Sequence, residues 1–369
     1  MPDLYIGLMS GTSLDGVDAV LADFSGPRCQ VLQHHAAGFE PGLRAELLAL
    51  NTNGANELHR AALAANALAH SYAQAVQALL QASGIPASAV RAIGAHGQTV
   101  RHQPGAFDGT GYTLQLNNPA LLAERTGISV VADLRSRDVA AGGQGAPLVP
   151  AFHQFQFGQA GQDALVLNIG GIANLSVLRA DGNVLGFDCG PGNALMDHWC
   201  QRHRGEPFDR NGAWAASGQV APALLQRLQA EPYLHQSPPK STGRDLFNPP
   251  WLEQHLRQCL PLPAADVQAT LLELTASACA ESAIRYKNNS KLLAVCGGGA
   301  FNGRLMERLQ ALLPGLRVEP TDTLGLPAQQ VEAAAFAWLA RQCLRGLPGN
   351  LPSATGAQGA RVLGAIYPA

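Results

Sequence analysis

Tyr5-Ile6-Gly7-Leu8-Met9-Ser10-Gly11-Thr12-Ser13-Leu14-Asp15-Gly16-Val17-Asp18 reads as a strand, a tight turn and a returning strand. Apolar residues lead into a run of small and hydroxyl residues with one acid, and alternation resumes through Val20 and Asp23. The tip of such a hairpin exposes backbone N–H groups and hydroxyls. It suits an anion, because glycines let the backbone approach and the N–H groups donate without bulk. Asp15 in the same tip would repel phosphate unless a divalent cation sits between them. An ordinary hairpin, in which Gly11 and Gly16 supply only positive φ, satisfies the same spacing.

Working outward, the pattern returns about 160 residues later. Val166-Leu167-Asn168-Ile169-Gly170-Gly171-Ile172-Ala173-Asn174-Leu175-Ser176-Val177-Leu178 is again apolar strand, small-residue turn, apolar strand. Each copy heads a strand-rich stretch followed by helices, expected over 42–51, 55–84, 191–204, 217–230, 250–258, 264–287 and 327–344. Gln30–Phe39 reads as a third strand after the first hairpin, and Val184–Phe187 as a third strand after the second. Further strands are expected at Val90–Ala95, Tyr112–Leu116, Ile128–Ala132 and Lys291–Val295. Asn118-Pro119 opens a helix as a cap followed by Pro at the first helical position. A Gly/Pro-rich tail closes the chain. The repetition predicts two α/β domains with related cores and a cleft between their paired turns.

Length and composition set the class. A chain of 369 residues exceeds one ordinary core, so two domains are expected. Hydrophobic residues are 47% and charged residues 14%, which describes a globular protein and excludes a disordered one. A net charge of −2 offers no basic footprint for nucleic acid. No apolar run is long enough for a membrane span, and no basic leader precedes the first strand. Seven scattered cysteines without a CxxC pair fit reduced thiols in a cytoplasm better than a disulfide framework.

Four glycine-rich turns close strands, at 10–16, 168–171, 189–192 and 297–299, and ligands of α/β sheets bind beyond the carboxyl ends of strands. There is no GxxxxGK[ST] and no strand-borne GxGxxG with a later acid, so neither a P-loop nor a dinucleotide fingerprint is present. Asp188, delivered by an apolar strand into Cys189-Gly190-Pro191-Gly192-Asn193, could act as a general base or could cap the next helix. Gly297-Gly298-Gly299-Ala300 could receive a flat nucleoside or merely allow close helix–strand packing. Glu332 could hold a sugar hydroxyl or complement a helix dipole. His96 sits in a Gly/Gln turn that closes a strand. Arg135, Arg137 and Lys240 could fix an anionic group or lie solvated. The eleven histidines show no HExxH or comparable ligand spacing, so no protein-held metal is expected.

Taken together the turns resemble the anhydro-N-acetylmuramic acid kinases of bacterial cell-wall recycling. The resemblance rests on Gly7 to Asp18, Gly94-Ala95-His96-Gly97-Gln98-Thr99, Asp133 to Pro150, Asn168 to Asn174, Gly186 to Asn193 and Cys296-Gly297-Gly298-Gly299-Ala300-Phe301-Asn302. It spans essentially the whole chain in order. It implies two related ribonuclease-H-like domains of the actin, sugar-kinase and Hsp70 fold, with a nucleotide cleft between them. The expected first domain is 1–127 with 341–369, and the second is 128–340. The resemblance also implies the reaction: ATP phosphorylates O6 of 1,6-anhydro-N-acetylmuramic acid while water opens the anhydro bridge, giving N-acetylmuramic acid 6-phosphate and ADP. Asp188 would activate the water. Gly11, Thr12, Ser13, Leu14, Asp15, Gly16, Val17 and Asp18 would hold ATP, with Gly170 and Gly171 as the second phosphate turn and Gly297, Gly298 and Gly299 beside the nucleoside. Mg²⁺ would bridge the phosphates. His96, Gly97, Gln98, Arg135 and Glu332 would lie on the sugar side, and a cytoplasmic homodimer is implied. An actin- or Hsp70-like ATPase and a carbohydrate sensor are the rival classes, distinguished by sugar-independent ADP release and by binding without ADP release.

Overall fold

The computed structural model describes residues 2–11, 14–243, 246–259 and 261–369. The chain divides into two compact units, Met1–Gln156 with Gln330–Ala369, and Phe157–Gln329.

In the first unit, β1 (Leu4–Met9), β2 (Gly16–Asp23) and β3 (Gln30–Gly38) form the expected antiparallel meander. β4 (Val90–Ala95) pairs parallel to β1 on its other side. β5 (Gln98–Pro104) and β6 (Gly111–Leu116) make a separate two-stranded arm. β7 (Val130–Ala132) continues the sheet parallel to β4, and the C-terminal strand Ala365–Tyr367 closes its edge antiparallel to β7. One face packs on the Glu57–Ser83 helix, which buries Leu68, Tyr72, Val76 and Leu79. The other face carries the Val331–Leu344 helix at unusually close range. Gly7 and Gly94 are register partners, and a Cβ on either would lie 1.8 Å from the Ala333 carbonyl oxygen or 2.0 Å from that of Phe336. Only a strip without side chains lets a helix backbone rest there, and the alanine-rich face of that helix complements it.

The second unit repeats the topology. β8 (Ala164–Ile169), β9 (Ile172–Leu178) and β10 (Val184–Pro191) form the meander. β11 (Leu292–Cys296) pairs parallel to β8, and β12 (Arg317–Pro320) parallel to β11. The sheet order is β10-β9-β8-β11-β12, matching β3-β2-β1-β4-β7 of the first unit. Leu165, Leu167, Ile169, Leu175, Val177, Phe187, Leu293 and Val295 enter one core with the Ala264–Tyr286 helix. This duplicated meander with two parallel strands is the ribonuclease-H-like pair expected from sequence.

The unit limits differ from the sequence reading at 127/128 and 340/341. Residues 128–156 and 330–340 stay with the first unit because β7 hydrogen-bonds to β4 and the Val331–Leu344 helix lies on β1 and β4. β5 and the Val149–Phe157 helix were not anticipated, and the tail is an ordered sheet edge. No helix among the described residues is long and apolar enough to cross a membrane.

Candidate functional site

In the first unit the carboxyl ends of parallel strands β1, β4 and β7 bring Ser10, His96 and Arg135 together. The Ser10 hydroxyl lies 2.7 Å from the Tyr72 hydroxyl and donates to the Gly97 carbonyl at 3.0 Å. His96 Nδ1 is 3.1 Å from the Ser10 carbonyl, while Arg135 reaches His96 Nε2 through Nε at 3.2 Å and Nη2 at 2.9 Å. A carbonyl on one nitrogen and a guanidinium on the other assign the tautomer: Nδ1–H donates and Nε2 accepts. Burial, reinforced by the Arg135 charge, lowers the His96 pKa to about 3. His96 is therefore a neutral relay that orients Arg135, and its lone pair is spent. Arg135 Nη1 also donates to the Gly145 carbonyl at 2.7 Å.

Gln98 Nε2 donates to the Gly11 carbonyl at 3.0 Å, which ties the first turn to β5. Its Oε1 is buried with no partner among the described residues. Glu332, half-buried in the first turn of the Val331–Leu344 helix, lies one turn before Phe336, whose ring packs 4.7 Å from that of His96.

Within the first turn the side chains divide. Leu14 and Val17 enter the core, so only their backbones are left for a ligand. Asp15 is exposed, Gly16 pairs against β3, and Asp18 meets His34 Nε2 at 3.2 Å. Thr12 and Ser13 lie outside the described residues.

In the second unit Asp188 lies within β10. It does not cap the following helix, whose N-cap is Asn193. Across the sheet Asp188 registers with Asn174, and Asn174 with Asn168, so the three polar side chains share one face. A bulge between Asp188 and Gly190 bends the strand just beyond the carboxylate. β10 is an edge strand, and the segment from Tyr233 to Thr242 holds Asp188 from outside the sheet. Asp188 N–H donates to the Lys240 carbonyl at 3.3 Å, and the Tyr233 hydroxyl donates to the Asp188 carbonyl at 3.0 Å. Asp188 Oδ2 accepts from Ser241 Oγ at 3.0 Å and from Thr242 N–H at 2.9 Å.

The other glycine turns serve two purposes. The Gly170 and Gly171 carbonyls accept from Asn193 N–H at 2.8 Å and Gly192 N–H at 3.0 Å, which fastens that turn to the next helix. A Cβ on Gly297 would meet Asn168 Oδ1 at 2.4 Å, and one on Gly299 would meet Ile169 at 2.5 Å. Those two glycines are required by packing. Gly298 is exposed, its nearest neighbour at 3.4 Å, and so can face a ligand.

Residues 3–369 match the anhydro-N-acetylmuramic acid kinase family. A protein of that name from Variovorax paradoxus is 66% identical, the alignment covering 100% of this chain and 99% of the relative. Its namesake from Albidiferax ferrireducens is 62% identical with 100% of both chains covered, and that from Pseudomonas putida is 54% identical with 99% of both covered. This chain belongs to the anhydro-N-acetylmuramic acid kinase family. It is an enzyme, a kinase. Among solved structures, the (R)-2-hydroxyglutaryl-CoA dehydratase component A of Acidaminococcus fermentans matches with a TM-score of 0.48 at 12% identity, covering 91% of this chain and 96% of that one. A ROK family glucokinase from Streptomyces griseus matches at 0.42 and 16%, covering 92% and 99%.

Several residues of this kinase carry the site's geometry without having been singled out from sequence. Asp138, fully buried, accepts from Gly145 N–H at 2.7 Å, Asn350 Nδ2 at 2.6 Å and Thr355 Oγ1 at 2.7 Å. It thereby fixes the loop that holds Arg135. Among the described residues Asn117, beside Gly97, has both side-chain polar atoms buried without partners, and Asn168 and Asn174 each have a buried unpartnered Oδ1. Buried amides left unsatisfied by protein mark places where a polar ligand or water completes the pairing. Lys240 is neither solvated nor aimed at an anion. Its Nζ donates to the carbonyls of Tyr233 at 3.1 Å and Leu234 at 3.2 Å, above the Tyr233 ring, and burial lowers its pKa. Arg137 is exposed. Among the described residues no group of three or more His, Cys, Asp or Glu side chains could hold a metal.

Proposed function

We propose that this kinase uses ATP and water to convert 1,6-anhydro-N-acetylmuramic acid into N-acetylmuramic acid 6-phosphate and ADP, in the recycling of peptidoglycan. The observation that carries the reading is Asp188, a carboxylate held by its N–H, its carbonyl and one carboxylate oxygen at a bulged edge strand. A base so constrained can take a proton from a water aligned on the anomeric carbon. The water oxygen bonds to C1, the C1–O6 bond breaks, and O6 attacks the γ-phosphorus as the bond to the ADP oxygen breaks. The proton of the water passes to Asp188. Phosphoryl transfer depends mainly on positioning and charge stabilisation, which turns rich in N–H donors supply.

Residues 11–18, with Gly170 and Gly171, would meet the phosphates, and exposed Gly298 the nucleoside, with Gly297 and Gly299 shaping its seat. The exposed Asp15 fits Mg²⁺, which takes one or two carboxylates together with phosphate oxygens. The ion would neutralise phosphate charge. Arg135, oriented by His96, would meet the lactyl carboxylate, while Gly97, Gln98 and Glu332 would meet the sugar's polar groups. We place the enzyme in the cytoplasm as a homodimer, in keeping with its family resemblance and its free cysteines.

The test is ADP release with the anhydro sugar, beside N-acetylmuramic acid and a sugar-free control, with mass analysis of the product. Dependence on the anhydro sugar and a gain of both phosphate and water are expected. ADP release independent of sugar would overturn the reading. Asp188→Asn should abolish turnover and leave ATP binding intact; a loss of nucleotide affinity instead would assign Asp188 to phosphate or metal.

A further inference from the structure

We infer that Ser241 is the positioning residue of Asp188, and that Lys240 is the anchor that holds Ser241 in place. The inference rests on Asp188 acting as the base. Among the described residues four contacts join Asp188 to one short segment, and they fix different degrees of freedom. The backbone contacts to Lys240 and Tyr233 set where the Cα lies along the edge of β10. The contacts from Ser241 Oγ and Thr242 N–H both end on Oδ2, so they set the rotation of the carboxylate plane. Two donors on one oxygen define which face of the carboxylate turns toward a water. The Thr242 donor is backbone and any residue would supply it. The Ser241 donor exists only with a hydroxyl.

The segment needs an anchor because an edge strand offers no second neighbour. Lys240 supplies it by closing back onto the carbonyls of Tyr233 and Leu234, with its ammonium 4.7 Å from the centre of the Tyr233 ring. Its aliphatic stem is buried, and only a long side chain ending in several donors can satisfy both carbonyls at once.

The charges near Asp188 belong to the same assembly. Among the described residues Lys240 is a cation whose field reaches it, Arg285 on the Ala264–Tyr286 helix and Cys189 act on Lys240, and the Cys189 thiol faces Cys279 on that helix. Ser241 is neutral. Its removal changes hydrogen bonding to the carboxylate without changing this field.

The experiment compares Ser241→Ala, Ser241→Thr and Asp188→Asn by steady-state kinetics over a range of pH, with ATP and the anhydro sugar varied separately. Removing a donor to the charged form makes the carboxylate easier to protonate. For Ser241→Ala we expect kcat to fall about tenfold and the acid limb of kcat/KM to move upward by roughly half to one pH unit, with both KM values within about twofold. Ser241→Thr, which keeps the hydroxyl, should recover both. Lys240→Met should reproduce the kcat loss and the upward limb. An unmoved acid limb in Ser241→Ala overturns the inference, as does a kcat loss that threonine fails to recover. If Asp188→Asn retains turnover, the reading of Asp188 as the base fails instead, whatever Ser241→Ala does. Equal unfolding midpoints for wild type and Ser241→Ala are expected, and a large loss of stability with unchanged kinetics of the folded fraction would also overturn it.

Discussion

Asp138→Asn probes how one buried carboxylate sets up the Arg135 side of the first unit. In the native chain Oδ1 serves Asn350 and Thr355 while Oδ2 serves Gly145 N–H, all at 2.6–2.7 Å. Asparagine keeps one of these oxygens. Its best orientation retains the two bonds to Oδ1 and turns an NH₂ group toward the Gly145 N–H. That exchange removes a hydrogen bond to a charged group, about 1.5–3 kcal/mol, and leaves a buried donor unsatisfied, about 1–3 kcal/mol. The two overlap, and the expected loss of stability is about 3 kcal/mol. The opposite orientation sets the NH₂ against two donors and is worse. Release of Gly145 also frees the carbonyl that holds Arg135 Nη1, so the guanidinium loses the support opposite His96. Urea unfolding measures the first effect. KM for the anhydro sugar measures the second, and we expect a rise of about tenfold against an unchanged KM for ATP. A stability loss below about 1 kcal/mol would refute the hydrogen-bond reasoning, since a surface carboxylate would behave that way. Intact stability with an altered ATP KM would refute the assignment of this network to the sugar side.

Gly94→Ala should destabilise the first unit by about 3 kcal/mol, the upper end for overpacking, because its Cβ would meet a helix carbonyl that cannot rotate aside; urea midpoints decide it. Gly299→Ala and Gly298→Ala should part company. The first drives a Cβ into Ile169 and lowers stability, whereas the second leaves the fold intact and weakens nucleotide binding, read by calorimetry. His96 and His153 are both held near 3 by burial, below the unfolded value of 6.5. The unfolded chain therefore binds more protons below that value. Stability is fully present above pH 6.5 and falls as the pH drops from there toward 3, each histidine steepening the loss by about 1.4 kcal/mol per unit. Unfolding curves at stepped pH should show this slope, and His96→Gln should flatten it.

Much of the architecture is legible because its signals are local. The two hairpins declare themselves by alternation around small residues, and Asn118 caps its helix as read, accepting from Leu121 N–H at 3.0 Å. Asp188 also stands out locally, as an acid at the end of an apolar strand. What sequence withholds is the partner at long range. The Lys240 side chain, open to two readings in a polar loop, is buried on two carbonyls because the loop folds back on itself. Asp138 is tied to Asn350 and Thr355 more than two hundred residues away, and no periodicity announces such a pair. β5 escapes notice because polar residues occupy most of it. The unit boundary shifts for the same reason, since the pairing of β7 with β4 is a matter of sheet order.

The position of Asp188 on an edge strand has a mechanical consequence. An interior strand has its backbone groups answered by two neighbours, so the sheet itself locates the side chain and little else need touch it. An edge strand presents unanswered N–H and C=O groups, which must be covered by something outside the sheet. Here the covering segment answers both backbone groups of Asp188 and, through its irregular Ser241–Thr242 part, also brings a hydroxyl and an N–H to the carboxylate. The requirement to close the edge and the requirement to orient the Asp188 carboxylate are thus met by the same few residues. A loop can adjust its donors by fractions of an ångström without disturbing the ladder, which a neighbouring strand cannot do. It follows that substitutions at Ser241 and Thr242 should act on kcat more than on stability, whereas substitutions in β9, which pairs along the other side of β10, should do the reverse.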